Sequence, residues 1–519
     1  MAKVVVPNAL NGKPITRIGI RAFENCTKLT AIILTDTVTR IRHSAFLGCT
    51  GLEQVRLPAY LEKIEHNTFD GCSALSGITI PEMVKTIDSA AFYGTTFSEF
   101  HVPAALTQIS GSTFGGGYNL ERITVDEGNP VYRGEGNCLI ERKTETLVLG
   151  TNSGEIPNGV KIIGCSAFSG CMGIKEISIP NGVQTIGAHA FFGCSNLTNI
   201  NISKSVTSIE DGAFENCVGL TSIVIPKSVT NLQEPFRFCK NLVELSVEEG
   251  NPVYRSEGNC ILSGNTLVLG ISTSKIPEGV EAIGDKAFMG CAGLKSITIP
   301  GFVKTIGNSA FYYCRDLESV TIGYGVTAIG NSAFSECFKL TAVQLPNSLE
   351  SIGGGAFYGS NSLRGIVIPE SVKTIGPRAF YLQTIYTSLS ARPQGWPTEE
   401  GSGVTIKYGW QDTCTVFWGC EIANDGHYPY MVSYHAPEGR RTEGLRWGAV
   451  LAPTREGYTF AGFATKEGGE VVYAPYAANA TITDGSSDTI FKLLEVFTEE
   501  EWWNLPDTFT LYAVWIPVD

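Results

Sequence analysis

The residues best suited to chemistry in this chain are its cysteines, which recur at a fixed place in a repeated phrase. Ten of the 15 lie three residues after a phenylalanine, in segments such as "RAFENCTKL" (Arg21 to Leu29) and "GAFENCVGL" (Gly212 to Leu220). These ten are Cys26, Cys49, Cys72, Cys171, Cys194, Cys217, Cys239, Cys291, Cys314 and Cys337. Thiols at a regular spacing can form disulfides, bind a metal ion or fill space in a core. The fold of the repeat decides among these roles.

The phenylalanines recur with a period typical of stacked structural repeats. They are Phe23, Phe46, Phe69, Phe92, Phe114, Phe168, Phe191, Phe214, Phe236, Phe288, Phe311, Phe334, Phe357 and Phe380. Most steps are 23 residues, two are 22, and two long gaps measure 54 and 52. A period in this range indicates a solenoid, in which each repeat forms one coil and stacks on its neighbours. We predict a solenoid over residues 1–388, with about fourteen to fifteen coils.

One repeat shows how a coil is built. In "GLTSIVIPKSVTNL" (Gly219 to Leu232), Leu220, Ile223 and Ile225 have the spacing of a short strand with alternating inward residues. Pro226 ends this strand, because proline has no N–H for a hydrogen-bond ladder. A second inward-facing segment follows on the opposite wall and leads to the next phenylalanine. The repeat therefore predicts a mostly β protein.

This architecture favours a packing role for the cysteines. Stacking places equivalent residues about 4.8 Å apart with parallel side chains, which holds their Cβ atoms wider than a disulfide prefers. Thr95, Gly117 and Ser360 occupy the same position in other coils, and a disulfide does not tolerate serine there. A zinc site needs four converging ligands, not one row. We predict that the ten thiols fill the core, and we predict no metal ion and no cofactor.

The two long gaps are related to each other. "EGNPVYRGEGNCLIERKTETLVLG" (Glu127 to Gly150) matches "EGNPVYRSEGNCILSGNTLVLG" (Glu249 to Gly270). Turn-forming dipeptides bound short apolar strands in both, which predicts inserted hairpins. We call these insertions the islands (about residues 125–155 and 247–275) and predict that they project from the stack. Cys138 and Cys260 are expected to be buried in the islands, and Cys165 is expected to be an exposed thiol.

The repeat pattern carries a resemblance to a known family. "IPxxVxxIGxxAFxxCxxLxxIxI", which covers about Val4 to Leu382, resembles the BspA-like, or treponemal-type, leucine-rich repeats. The resemblance implies a leucine-rich-repeat solenoid from a bacterial surface or secreted protein. It also implies adhesion to host proteins, matrix or neighbouring cells. The chain begins inside a coil, and we expect it to be part of a longer exported protein.

The last part of the chain has a different composition. All seven tryptophans lie at or beyond Trp396, and residues 389–403 have the composition of a linker. Residues 404–519 contain alternating strand patterns, and "PTREGYTFAGF" (Pro453 to Phe463) and "TLYAVW" (Thr510 to Trp515) resemble the Listeria–Bacteroides repeat. The resemblance implies a small β-grasp-like α+β module. Helical spacing from Ile490 to Phe497 predicts one helix. Whether Cys414 and Cys420 form a disulfide stays open.

Composition limits the classes of partner. The formal net charge is −13, from 38 basic and 51 acidic residues, which argues against nucleic acid and anionic lipid. Apolar runs are too short for a membrane helix, so no membrane insertion is predicted. "STSK" (Ser272 to Lys275) spells a serine acylase motif, but the helix that such a motif needs is absent. His43 and His66 occupy the same position in adjacent coils, but that position offers no third ligand for a metal ion. We predict no catalytic residue and no enzyme.

Function is therefore expected on the surface. The outward positions of the first strand carry mainly small hydroxyl residues, while large charged residues concentrate in the N-terminal third. We predict that Gln54, Arg56, Glu99, His101 and Arg122 bind a protein partner, because binding energy concentrates in large side chains. A host matrix, plasma or cell-surface protein is the expected ligand, and the oligomeric state is not predicted. Binding by the islands, a passive spacer and carbohydrate binding by the tryptophan-rich module stay open as alternatives.

Overall fold

Each repeat folds into one coil with two parallel walls, because two short apolar segments alternate with turns in every repeat. The structure, a computed structural model, describes residues 2–115, 119–363, 365–381, 383–387 and 389–396, together with short strands between 405 and 517. The chain divides into two units, Met1–Leu294 with Ser309–Arg315, and Lys295–Asn308 with Asp316–Asp519. The described residues form about 17 coils and are almost entirely β, which confirms the predicted fold class.

Wall A is formed by the Leu-x-x-Ile-x-Ile segments, whose strands pair in parallel from coil to coil. Inward and outward residues alternate: Ile223 and Ile225 are buried, while Ser222 and Val224 are exposed. In the first unit the strands are Ala2–Val5, Leu29–Ile33, Gln54–Arg56, Glu99–Val102, Arg122–Val125, Glu176–Ser178, Asn199–Asn201, Ser222–Ile225 and Glu244–Val247. In the second unit they are Ser296–Ile299, Ser319–Ile322, Ala342–Gln344, Gly365–Val367, Thr384–Tyr386 and Thr405–Lys407.

Wall B is formed by two-residue strands that end in an inward aliphatic residue. In the first unit these are Arg17–Ile18, Arg40–Ile41, Lys63–Ile64, Thr86–Ile87, Gln108–Ile109, Ile162–Ile163, Thr185–Ile186, Ser208–Ile209, Asn231–Leu232 and Ala282–Ile283. In the second unit they are Thr305–Ile306, Ala328–Ile329, Ser351–Ile352 and Thr374–Ile375. The first unit also contains a short antiparallel pair, Ala9–Leu10 with Lys13–Pro14, and a 3-10 helix at Gly111–Thr113.

The repeated phenylalanines stack along the core. The ring centroids of Phe46 and Phe69 lie 5.2 Å apart with an interplanar angle of 1°. The backbone N–H of Phe46 donates to the carbonyl of Thr68, in the next coil, at 2.9 Å. Ser44 (φ 58°) and Gly48 (φ 72°) flank this phenylalanine in the left-handed conformation. These two residues turn the backbone around the ring, at positions that tolerate glycine and small polar residues best.

The islands contain the predicted hairpins but do not project from the stack. Their strands are Tyr132–Glu135, Cys138–Glu141 and Thr146–Leu149 in the first island, and Arg255–Glu257, Cys260–Ser263 and Thr266–Gly270 in the second. Each set is antiparallel, and its last strand pairs in parallel with the following strand of wall B. Each island therefore contributes a coil of its own, which is why the count of coils exceeds the predicted number.

The Asn-Pro-Val-Tyr motif of the first island completes hydrogen bonds where wall B is interrupted. Nδ2 of Asn129 donates to the carbonyl oxygens of Pro103 and Leu106, at 2.9 Å each. The hydroxyl of Tyr132 accepts from the backbone N–H of Ile109 at 3.2 Å. Tyr132 therefore replaces the strand that would otherwise pair with wall B at Ile109, while Asn129 satisfies two carbonyls of the preceding turn.

A glycine takes the place of the repeated phenylalanine in each island. The backbone N–H of Gly150 donates to the carbonyl of Ala167 at 2.7 Å, in the same way as the phenylalanines do in other coils. A Cβ atom added at Gly150 would lie 2.0 Å from Cε1 of Phe168, and one added at Gly270 would lie 2.1 Å from Cε1 of Phe288. The next phenylalanine ring therefore packs directly on the glycine, and the aromatic stack is interrupted there.

The repeated cysteines, which we call the cysteine row, form hydrogen bonds in addition to packing in the core. Sγ of Cys217 lies 3.1 Å from the carbonyl oxygen of Phe191, the phenylalanine of the preceding coil. The same bond is made by Cys49, Cys72, Cys194, Cys239 and Cys314. Ser360 also makes it, with Oγ 2.7 Å from the carbonyl of Phe334. The thiol therefore fills the space and satisfies a buried carbonyl, which explains why serine can replace it.

The cysteines that the structure describes form no disulfide, and most are buried as predicted. Cys138 and Cys260 are buried and Cys165 is exposed, which confirms those three predictions. Cys26 is also exposed, contrary to the packing role predicted for all ten, because it lies in the first coil. Cys414 and Cys420 lie outside the described residues.

Wall A includes one strand from the segment predicted to be the separate tryptophan-rich module. Thr405–Lys407 pairs in parallel with Thr384–Tyr386. Trp396 is buried, and its indole N–H donates to the carbonyl of Val372 at 3.0 Å. The described strands beyond residue 407 form antiparallel pairs: Val416–Phe417 with Thr508–Phe509, Glu421–Ile422 with Tyr430–Met431, and Tyr458–Ala464 with Tyr512–Pro517. The predicted helix at 490–497 lies outside the described residues.

Replacing Gly150 or Gly270 with alanine is expected to destabilise the solenoid. The added methyl group meets a buried phenylalanine ring, and overpacking of this kind lowers the free energy of unfolding by about 1–3 kcal/mol. Urea unfolding followed by circular dichroism measures the loss. Gly77→Ala is the matched control, since nothing lies within 4 Å of a Cβ atom at that position. Equal stability of all three variants would contradict the assigned packing.

Iodoacetamide at pH 8 is expected to modify the exposed Cys26 and Cys165 much faster than Cys49 and Cys260. Burial raises the pKa of the Cys49 and Cys260 thiols to about 11. Only about one part in a thousand of such a thiol is the reactive thiolate at pH 8. Peptide mass spectrometry of native protein measures the rates, and guanidinium-unfolded protein is the control. Labelling of Cys49 at the rate of Cys165 would refute the burial of the row.

Candidate functional site

The five residues predicted to bind a partner all lie at outward positions of wall A. Gln54 and Arg56 belong to one strand, Glu99 and His101 to another, and Arg122 to the strand beside it. All five side chains are exposed. Their outward direction follows from the strand alternation, because the intervening residues face the core.

Glu99, His101 and Arg122 are brought together on neighbouring strands. Glu99 is the register partner of Arg122, and Nη1 of Arg122 lies 3.9 Å from Oε1 of Glu99. His101 faces Thr124, with Nδ1 2.9 Å from the threonine Oγ1. The pair and the imidazole therefore form one polar group on the surface of wall A.

Asp126 fixes the orientation of His101. Oδ1 of Asp126 lies 3.3 Å from Nε2 of the imidazole, and its Oδ2 accepts from the backbone N–H of Ala104 at 3.0 Å. Both ring nitrogens of His101 therefore have a polar neighbour. The sequence analysis missed Asp126, although an acidic residue directly after the strand was a usable signal.

Arg56 is held by a different acidic residue and does not join the Glu99 group. Nη2 of Arg56 lies 3.2 Å from Oδ2 of Asp36, and Nη1 donates to the carbonyl of Leu34 at 2.8 Å. The backbone N–H of Ala59 and the Arg56 side chain lower the pKa of the Asp36 carboxyl. The pair therefore stays ionised at neutral pH and is lost only as the pH falls through that lowered pKa.

Exposed aliphatic side chains continue the row that contains Arg56. Ile33 is the register partner of Arg56, and Val5 is the register partner of Ile33. These two side chains are 42% and 61% exposed. We call Ile33, Gln54, Arg56, Glu99, His101 and Arg122 the N-terminal patch. It combines apolar and charged groups, which favours binding, whereas later coils present mainly serine, threonine and asparagine at the same positions.

His43 and His66, in the turns that follow two wall B strands, have separate hydrogen-bond partners. Nδ1 of His66 lies 2.8 Å from Oγ of Ser89, while Nδ1 of His43 lies 3.5 Å from Oγ of Ser44. Within the described ranges, no group of three or more His, Cys, Asp and Glu residues could hold a metal ion. The chemistry available to the N-terminal patch is therefore the recognition of a partner by charge and shape.

Similarity to known proteins covers the repeat region. The BspA type leucine rich repeat region matches residues 9–129, 150–257 and 268–386, in six copies. No curated protein matches the chain.

Several solved structures are similar to the chain. A leucine rich cell surface protein from Faecalibacterium prausnitzii is 24% identical, with 79% of this chain and 88% of that chain covered and a TM-score of 0.37. A leucine-rich repeat protein from Eubacterium ventriosum is 23% identical, with 77% and 86% covered and a TM-score of 0.41. The pneumococcal vaccine antigen PcpA is 18% identical, with 78% and 76% covered and a TM-score of 0.37.

The family match extends over more than half of the chain and coincides with the coils described above. Its three matched ranges are separated by residues of the two islands, which depart from the repeat. This protein therefore belongs to the BspA-type leucine-rich repeat family.

Proposed function

We propose that this protein binds another protein outside a bacterial cell or at its surface, and that the N-terminal patch makes the contact. The family supports a surface role in binding or adhesion rather than catalysis. Among the described residues, no helix is both long and apolar enough to cross a membrane. The expected ligand is a host matrix, plasma or cell-surface protein.

The observation that carries this proposal is the fixed geometry of the patch. Arg56 is tied to Asp36 and Leu34, and His101 is tied to Thr124 and Asp126. Side chains that are already ordered lose less conformational entropy on binding, so more of the contact energy appears as affinity. Ordered charged residues at exposed positions are therefore better binding groups than the free serine and threonine side chains of later coils.

The charges of the patch indicate what its partner offers. The patch presents the guanidinium groups of Arg56 and Arg122 and the carboxylate of Glu99, and the carboxylates of Asp36 and Asp126 lie next to it. A partner with a carboxylate facing Arg56 or Arg122 gains a charge-assisted hydrogen bond, while an apolar side chain can cover Ile33. We therefore expect a mixed-charge protein surface with at least one apolar anchor.

A binding screen followed by paired variants tests the proposal. The purified chain is screened at physiological salt against matrix, plasma and cell-surface proteins. For a ligand found in this way, Arg56→Ala with Arg122→Ala is expected to weaken binding by about tenfold or more, as hot-spot arginines do. Surface plasmon resonance gives the dissociation constant. Lys175→Ala with Lys295→Ala is the control, because it removes the same charge from exposed positions elsewhere.

The other possible outcomes of this experiment distinguish among the alternative sites and functions. Equal loss in both double variants would show that only net charge matters, which contradicts a specific patch. A ligand indifferent to the patch variants would move the site to the islands or the tryptophan-rich region. Absence of any ligand would favour the spacer role.

A further inference from the structure

The outward position of the wall B strands changes its chemistry along the chain. In the first three strands this position, just before the buried isoleucine, is occupied by Arg17, Arg40 and Lys63. The later strands of wall B carry only uncharged residues there: Thr86, Gln108, Ile162, Thr185, Ser208, Asn231, Ala282, Thr305, Ala328, Ser351 and Thr374. We call Arg17, Arg40 and Lys63 the basic row. It is confined to three neighbouring coils.

The strand register places the three cations of the basic row side by side. Arg17 is the register partner of Arg40. Ile41 is the register partner of Ile64, so Lys63 continues the row beside Arg40. Neighbouring parallel strands lie about 4.8 Å apart, and like charges at such positions repel each other and lower stability. A bound polyanion relieves this repulsion, whereas a row of threonines would avoid it without any ligand.

A buried carboxylate holds two guanidinium groups at this surface. Oε1 of Glu65 lies 3.1 Å from Nε of Arg40, and Oε2 lies 3.3 Å from Nε of Arg42. Glu65 is buried, while the side chain of Arg40 stays 59% exposed. One carboxylate therefore orders two arginines and neutralises only one of them, which leaves a positive charge on the surface.

The remaining charges around the basic row do not cancel this excess. The other ion pairs of these coils are balanced one to one: Lys63 with Asp88, Arg21 with Glu24, and Lys85 with Glu62. Arg17 makes no ion pair with any residue that the structure describes. Residues 1–56 contain eight basic and three acidic residues, a formal charge of +5, although the whole chain carries −13. The N-terminal coils are therefore a positive region on an acidic protein.

We propose that the basic row, together with Arg42, binds a sulfated polysaccharide. Such polymers are linear polyanions of cell surfaces and extracellular matrix, so this inference rests on the extracellular location in the proposed function. A guanidinium group offers a planar fork of N–H donors, which suits the paired oxygens of an oxyanion better than an ammonium group does. A linear ligand also matches cations that follow one another from coil to coil, as solenoid surfaces allow.

Two other classes of polyanion fit this surface less well. Proteins that bind single-stranded nucleic acid stack its bases on aromatic side chains. None of the wall B strands that the structure describes has an aromatic residue at its outward position. An anionic membrane surface is bound by amphipathic helices with apolar residues beside the cations. The described part of the chain contains no α-helix.

Calorimetric titration of the full chain with heparin at physiological salt tests the proposal. Arg17→Thr with Arg40→Thr gives the first coils the residue that Thr86 and Thr185 provide later. This double variant is expected to weaken heparin binding by about tenfold or more, since each basic residue near an anionic surface adds a several-fold factor. The dependence of affinity on salt is also expected to become shallower, because fewer counterions are released.

Further variants separate specific binding from net charge and from folding. Lys161→Thr with Lys304→Thr is the matched control, because it removes the same charge from exposed positions that directly precede later wall B strands. Arg17→Thr alone breaks no ion pair of the described residues, so its loss of binding is not an effect of disturbing Glu65. Arg17→Lys with Arg40→Lys keeps the charge without the fork, and a smaller loss is expected. Thermal unfolding checks that every variant folds.

Several results would overturn the proposal. These are no binding of heparin by the parent, an equal loss in the Lys161 and Lys304 control, or equal affinity for desulfated heparin. Equal affinity for oligodeoxythymidine or for vesicles that contain phosphatidylserine would also overturn it, because the surface would then select charge alone. None of these measurements involves a protein ligand, so their outcome is independent of protein binding by the N-terminal patch.

Discussion

The stacking of one phenylalanine on the next is the interaction on which the other features of the coils depend. A buried phenylalanine contributes roughly 1.5–3 kcal/mol, and each aromatic pair adds about 0.5–1.5 kcal/mol. A backbone hydrogen bond at the same residue, such as that from Phe168 to Ala190 at 2.7 Å, fixes the register of the ring. The cysteine row and the left-handed residues that flank most of the phenylalanines then follow from the space around the ring.

The islands interrupt the phenylalanine stack, and two features limit the loss of stability. Gly150 and Gly270 remove the side chain that would collide with the next phenylalanine, and polar side chains such as Asn129 satisfy the interrupted backbone. The second interruption also opens a small cavity, which Cys239 and Cys291 line.

The surface obeys a different constraint from the core. Outward positions of wall A need only fit a strand, so their side chains vary without disturbing the stack. In the N-terminal coils they form an ordered group of charges, because the acidic residues after the strands, Asp36 and Asp126, hold Arg56 and His101. The proposed binding function depends on these ordered surface side chains, whereas the repeat pattern typical of the family consists of core residues.

The sequence by itself determined the solenoid, its period, the two walls and the burial of the cysteine row, because the spacing of Phe, Ile and Pro repeats in every coil. It also identified five of the six exposed residues of the patch, all except Ile33. Contacts between distant residues were decided only by the tertiary structure. Spacing along the chain does not reveal that Gly150 replaces a phenylalanine, or that Arg56 pairs with Asp36 rather than with the Glu99 group. Such contacts join different coils, and only the stacking register determines which residues meet.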